Sequence, residues 1–234
     1  MIQAVLFDFG QTLVDSSNGF RAAEKEAEKF VFDCLSGVSW ETFLDTYRRF
    51  RKELHGQSNF SRQDLFRAVF RSFGREPEVG HLVQWENRYW DRVRASTKLF
   101  PETIEILSRL RSSCRLGMIT NTQGQRPSVM HRLSEIPELP GFFEVIVVAG
   151  EGGVPPKPDP LPFRICLERM NLLPEDAVYV GDDWRIDILG ARGVGLRAIW
   201  LQHESVRRNW PAVHTDAPII QRLDALLDMK RVLP

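Results

Sequence analysis

The chain has 234 residues, 43% of them apolar, with 31 Lys and Arg against 31 Asp and Glu. Balanced charge excludes the basic footprint of a nucleic-acid binder, and the length allows one ordinary domain or two small ones. No apolar run approaches the roughly 20 residues of a membrane span, and the opening residues enter a strand without a basic, signal-type segment. The expected partner is therefore a small molecule, with no nucleic acid and no membrane, and the expected location is cytoplasmic. Cys34, Cys114 and Cys166 are odd in number, far apart and without metal-ligand spacing, so they read as reduced packing residues.

From Ala4 to Phe7 the chain is unbrokenly apolar, as in a strand covered on both faces, and the run stops at Asp8 and Gly10. In an open α/β sheet that carboxyl edge is where ligands bind. Asp8 therefore reads as a nucleophile or metal ligand, or more plainly as a turn residue capping Gly10.

The pattern is then helical over 16–96. Ala22, Ala23, Ala27, Phe30, Val31 and Cys34 make one stripe. Ser39, with Thr42 three residues on, is an expected N-cap for a second through Phe43, Leu44, Tyr47, Phe50 and Leu54. Ser61 precedes a third stripe that ends at Gly74, and Leu82, Trp85, Tyr89, Trp90 and Val93 make a fourth. With 14 Lys or Arg against 12 Asp or Glu, this insert is only slightly basic, and its charges read as solvated helix faces. Trp85, Tyr89 and Trp90 could line a pocket, but helical spacing favours core.

From about 97 strands and helices alternate: a helix after Pro101, strand 115–120, strand 143–149, helix 162–170, strand 177–180, helix 186–192 and strand 197–201. That order predicts parallel pairing through right-handed crossovers, hence a doubly wound, Rossmann-like α/β sheet. Its first strand precedes the insert, so residues 1–15 and 97–234 should form the core, with 16–96 an all-helical cap above the carboxyl edge. Pro218 to Ile220 and Leu223, Leu226 and Leu227 suggest an edge strand and a closing helix.

Three further stretches fall near predicted strand ends. Thr120 and Asn121 offer a hydroxyl and an amide, though such residues also serve as ordinary caps. Lys157 lies between prolines in Pro155-Pro-Lys-Pro158, which restricts its backbone on both sides and suits a fixed cation, or simply a rigid loop. Gly181 breaks a strand, Asp182 and Asp183 follow, and Asp187 comes about a turn later. Clustered acids repel unless a cation holds them, and hard oxygen donors favour Mg²⁺.

In this order the four stretches resemble the haloacid dehalogenase-like (HAD) hydrolase superfamily, and the insert resembles the C1 cap of its subfamily I. The resemblance covers the whole chain. It implies a Mg²⁺-dependent hydrolase in which Asp8 attacks phosphorus and becomes an aspartyl phosphate. Thr120 and Lys157 would bind and balance the phosphoryl group, with Asn121 beside them. Asp8, the backbone carbonyl of Gly10 and Asp182 would hold the metal, and Asp187 would hold it through water. Asp183 would only cap the next helix.

The departure is Gly10, where phosphatases of the family usually carry a second aspartate as general acid and base. The carbonyl survives that change. The proton donor does not, and its loss typically costs about 10²- to 10⁴-fold, with no replacement from the Gln11 amide. The implied activity is thus a phosphatase of a small phosphorylated metabolite. The family's dehalogenases, which work without metal, and its phosphonatases, which need a cap lysine, are the alternatives, together with a non-catalytic relative that binds a phospho-ligand or a partner. Lys25, Lys29 and Lys52 are cap lysines by location alone.

Overall fold

The computed structural model describes residues 2–122 and 131–228. Among them the chain divides into two compact units. One comprises the residues up to Ser17, Lys98–Thr122 and 131–228, and the other is Asn18–Thr97.

The first unit is an α/β fold around a six-stranded parallel sheet. In chain order its sheet strands are β1 (Ala4–Phe7), β4 (Arg115–Asn121), β5 (Val145–Ala149), β6 (Ala177–Gly181), β7 (Arg197–Leu201) and β8 (Ile219–Ile220). Their order across the sheet is β5-β4-β1-β6-β7-β8. The chain winds from β1 outward through β4 to β5, then returns to the other side of β1, which makes the carboxyl ends of β4, β1 and β6 the switch point of the sheet. Phe7 pairs with Met118 on one side and Val180 on the other, so the residues just past these positions come together at one edge.

The apolar run of β1 is explained by its two covered faces. Val5 and Phe7 pack into a cluster with Ile106, Leu107 and Leu110 of α5 (Thr103–Arg111). Ala4 and Leu6 join the opposite cluster with Phe163, Cys166 and Leu167 of α6 (Pro160–Arg169). A pair too short to read by period, β2 (Val14–Asp15) and β3 (Lys98–Leu99), forms a separate antiparallel ribbon at the two ends of the helical insert.

Two expected helices take other forms. The stretch after Asp182 begins as a π-turn at Trp184–Ile188 and becomes α-helical only over α7 (Leu189–Arg192). Asp183 caps it, accepting from the N–H groups of Arg185 and Ile186. The closing helix is a 3₁₀ turn at Leu223–Asp228, and 229–234 lie outside the described residues.

The second unit consists of α1 (Ser17–Asp33, from Asn18 on), α2 (Trp40–Gly56), α3 (Arg62–Ser72) and α4 (Val79–Arg94). Ser39 and Ser61 cap α2 and α3 by accepting from Thr42 N–H and Asp64 N–H, each at 3.2 Å. Its own apolar cluster contains Ala27, Val31, Phe43, Tyr47, Phe66, Trp85, Tyr89 and Trp90, which settles the aromatics as core. Cys34 departs from the expectation: it is exposed, because Leu35 takes the buried position after Val31. Nor are all the charges solvated. Arg62 and Glu86 are buried, and Glu24 accepts from the hydroxyls of Tyr47 (2.8 Å) and Tyr89 (3.2 Å) while pairing with Arg51 and Arg62. Among the described residues no helix is long and apolar enough to cross a membrane.

Candidate active site

Asp8 follows the last residue of β1, and its N–H bonds Val180 O at 2.9 Å, which keeps the chain in register with β6 one residue beyond the strand. The turn after it is tight. Its left-handed residue is Gln11, with φ 59°, and the Gln11 side-chain oxygen accepts from Ser16 N–H at 3.0 Å, so Gly10 is not there to supply a positive φ.

Lys157, on the loop between β5 and α6, is 1% exposed and sits at the centre of the site. Its ammonium lies 2.7 Å from Asp8 Oδ1, 2.7 Å from Asp187 Oδ1, 2.7 Å from the Tyr179 hydroxyl and 2.9 Å from Ile119 O. Three protons serve four acceptors, so the group is held from every side and cannot rotate freely. Asn121, at the end of β4, clasps the same residue by its main chain, accepting from Lys157 N–H at 2.8 Å and donating to Lys157 O at 3.2 Å. Its amide is thus engaged by the lysine loop, where substrate binding had been expected. Thr120, beside it, is buried at 2% exposure.

Asp182 follows β6, and Asp187 returns to it from the π-turn. Asp187 Oδ1 meets Lys157 and the Tyr179 hydroxyl, and Oδ2 accepts from Asp183 N–H at 3.0 Å. Asp8, Asp182 and Asp187, all buried, bring one oxygen each within 4.8 Å of one another. Burial lifts Asp187 to about 6 despite the pull of Lys157, and lifts Asp182 well above its ordinary value against the pull of Arg208. Burial alone would lower the Lys157 pKa, but Asp187 and Asp8 outweigh it and leave the ammonium above its ordinary value. Three buried carboxylates with all-oxygen donors, one more than Lys157 and Arg208 together can balance, fit a hard divalent cation such as Mg²⁺.

A family model described as haloacid dehalogenase-like hydrolase matches residues 2–195. The chain belongs to that family. Over 236 residues this HAD-like hydrolase is 29% identical to the glyceraldehyde 3-phosphate phosphatase of Methanopyrus kandleri, spanning 100% of this chain and 99% of the relative. It is 26% identical to the human (Homo sapiens) N-acylneuraminate-9-phosphatase over 97% of this chain and 94% of that one. Among solved structures, a 2-haloacid dehalogenase from Pseudomonas syringae pv. Tomato DC3000 superposes with a TM-score of 0.65 at 27% identity, covering 99% of each chain.

Two residues of the candidate site carry no signal in the sequence. Tyr179 looked like one more apolar strand position, and only its inward hydroxyl distinguishes it. Arg208, on the segment after β7, donates to Asp182 Oδ2 and lies 3.5 Å from Asp183 Oδ2. No spacing signal connects it to residues 25 and 26 positions away.

Proposed function

We propose that this chain is a Mg²⁺-dependent phosphatase of a small phosphorylated metabolite, slow on esters with poor leaving groups. The observation that carries the reading is Asp8 at the end of the central strand, held at Oδ1 by a buried lysine, with Asp182 and Asp187 close enough to share a cation with it. The relatives named as phosphatases of small phosphates support the same reaction class.

In this reading Asp8 attacks phosphorus, the bond to the substrate alcohol oxygen breaks, and the phosphoryl group passes to the Asp8 carboxylate. Water then hydrolyses the acyl phosphate and restores the acid. Lys157 fixes the rotation of the carboxylate and, with Thr120, balances the phosphoryl oxygens, since transfer needs positioning and charge compensation above all. Asn121 holds Lys157 in place. Held by Asp8, the Gly10 carbonyl and Asp182, with Asp187 acting through water, Mg²⁺ would supply the remaining positive charge. Gly10 contributes no proton to the departing alkoxide, which must take one from solvent.

The test compares p-nitrophenyl phosphate, alkyl phosphates, a phosphonate and a haloacid, each with Mg²⁺ and with chelator. The aryl ester should turn over only with Mg²⁺, and alkyl esters should lag by about 10²- to 10⁴-fold, because only they need the missing acid. Asp8→Asn should abolish turnover in a folded protein. Chelator-indifferent halide release would sink the phosphatase reading in favour of dehalogenation. The lysines available for phosphonatase chemistry in the helical unit, Lys25, Lys29 and Lys52, are all exposed, as solvated helix-face charges are, and none has the enclosed pocket that a Schiff-base lysine uses.

A further inference from the structure

Arg208 is not a loosely waving surface cation. The turn that carries it is anchored at both ends. His203, 2% exposed, stacks on Phe100 at 3.7 Å and meets Glu102 Oε1 at 3.0 Å, and Ser205 closes onto its ring. Val206 is buried, with its N–H on His203 O, and Arg208 N–H bonds Val206 O at 3.1 Å. Beyond it, the guanidinium lies over the Trp210 ring at 4.5 Å, and Trp210 packs edge-on against Trp200, whose indole N–H bonds Asp182 O at 2.9 Å. One assembly thus holds the arginine and the acid it meets.

Among the described residues, the three clustered carboxylates divide between two cations of the chain itself. Asp8 and Asp187 share Lys157, and Asp182 has Arg208. Lys157 is enclosed, whereas the Arg208 side chain keeps 32% of its surface exposed and has solvent to retreat into. A guanidinium and a divalent cation that draw on one buried carboxylate repel each other, and the more exposed of the two can leave at lower cost.

We propose that Arg208 is an exchangeable counterion of the metal site, a rival to the divalent cation for Asp182 that lowers the site's affinity for it. The inference rests on the metal reading above. It predicts a sign that a merely orienting arginine would not give: removing Arg208 tightens cation binding instead of weakening it.

Calorimetric titration with Mg²⁺ tests this on the full chain, with the wild type, Arg208→Gln and Asp182→Asn. Wild type should bind, Asp182→Asn should bind much more weakly, and Arg208→Gln should bind roughly 10- to 100-fold tighter, the range by which one neighbouring charge shifts an ionic equilibrium. In chelator the Arg208→Gln variant should melt below wild type, and saturating Mg²⁺ should close the gap. A second readout needs no Arg208 variant. Mg²⁺ should change the indole emission of wild type as the guanidinium leaves Trp210, and Trp210→Phe should lose that change. Wild-type binding that needs Asp182 but is unaltered or weakened in Arg208→Gln, or that leaves the Trp210 signal untouched, overturns this inference alone. Absence of any Mg²⁺ binding by wild type would overturn the metal reading and the inference with it.

Discussion

A Cβ added to Gly181, the last residue of β6, would stand 2.4 Å from Asp187 Cβ and 2.7 Å from its Oδ2. No rotation of so short a side chain relieves a clash at Cβ, so glycine is what lets Asp187 lie against the strand end and reach Lys157. Gly181→Ala should therefore destabilise the protein by about 1–3 kcal/mol and displace Asp187. Denaturant unfolding measures the first effect. The second should appear as at least a tenfold fall in whatever turnover the wild type shows, and wild-type activity and stability would refute the packing argument. The glycine was visible in the sequence as a strand breaker, but its purpose was not, because the partner it makes room for is six residues away on a π-turn. Tyr179 was concealed in the same way. Burial on both faces makes strand positions look uniformly apolar, and a single hydroxyl turned toward Lys157 leaves no periodic trace.

At the scale of the element, the helices of the second unit were legible because their signals are local. A serine cap acts three residues ahead, and an apolar stripe repeats every turn. The ionic cluster between those helices was not legible, since Glu24 is 38 residues from Arg62 and both sit among ordinary surface-type charges. Burial works to raise the Glu24 pKa, but Arg62 and Arg51 outweigh it, and the net value falls below the ordinary 4.5. A carboxylate with a depressed folded pKa stabilises fully above its unfolded value, and loses that contribution as pH falls through the folded one. Glu24→Gln keeps the shape and leaves Arg62, 5% exposed, without its counter-charge, at a cost of about 3 kcal/mol near neutral pH. The gap in melting temperature between wild type and variant should narrow as pH drops below about 4.5, the range in which the depressed group takes up its proton. A gap that is constant from pH 3 to 7 would show that the charge of Glu24 does not contribute to stability.

Over the whole molecule, the apolar interior falls into separate clusters. Two lie on the faces of the parallel sheet, and the third, among the described residues, is built from residues between Phe20 and Val93. A unit with its own core can fold alone. The insert leaves and re-enters through the β2–β3 ribbon, where Asp15 pairs with Lys98 and Val14 with Leu99, so the two ends of the excised segment are already neighbours. Replacing Asn18–Thr97 with a short Gly-Ser linker should give a chain that still unfolds cooperatively and retains far-UV signatures of both strand and helix. A broad, non-cooperative transition with dye-binding apolar surface would count against an independent core.

What the sequence determined by itself was whatever is encoded within a turn or a strand's length. That covers the parallel α/β alternation, the acid at the end of the first strand, the serine caps, and the candidate positions Asp8, Lys157, Asp182 and Asp187. Tertiary structure decided which of these meet, and what else joins them. The bond from Lys157 to Asp8 spans 149 residues, Tyr179 and Arg208 enter the site from a strand interior and an irregular loop, and Asn121 turns its amide to the Lys157 main chain. The physical reason is one of range. Apolar period and capping act between residues a few positions apart, whereas a site at a sheet edge is assembled by strand register and crossover, which bring together residues that share no local signal.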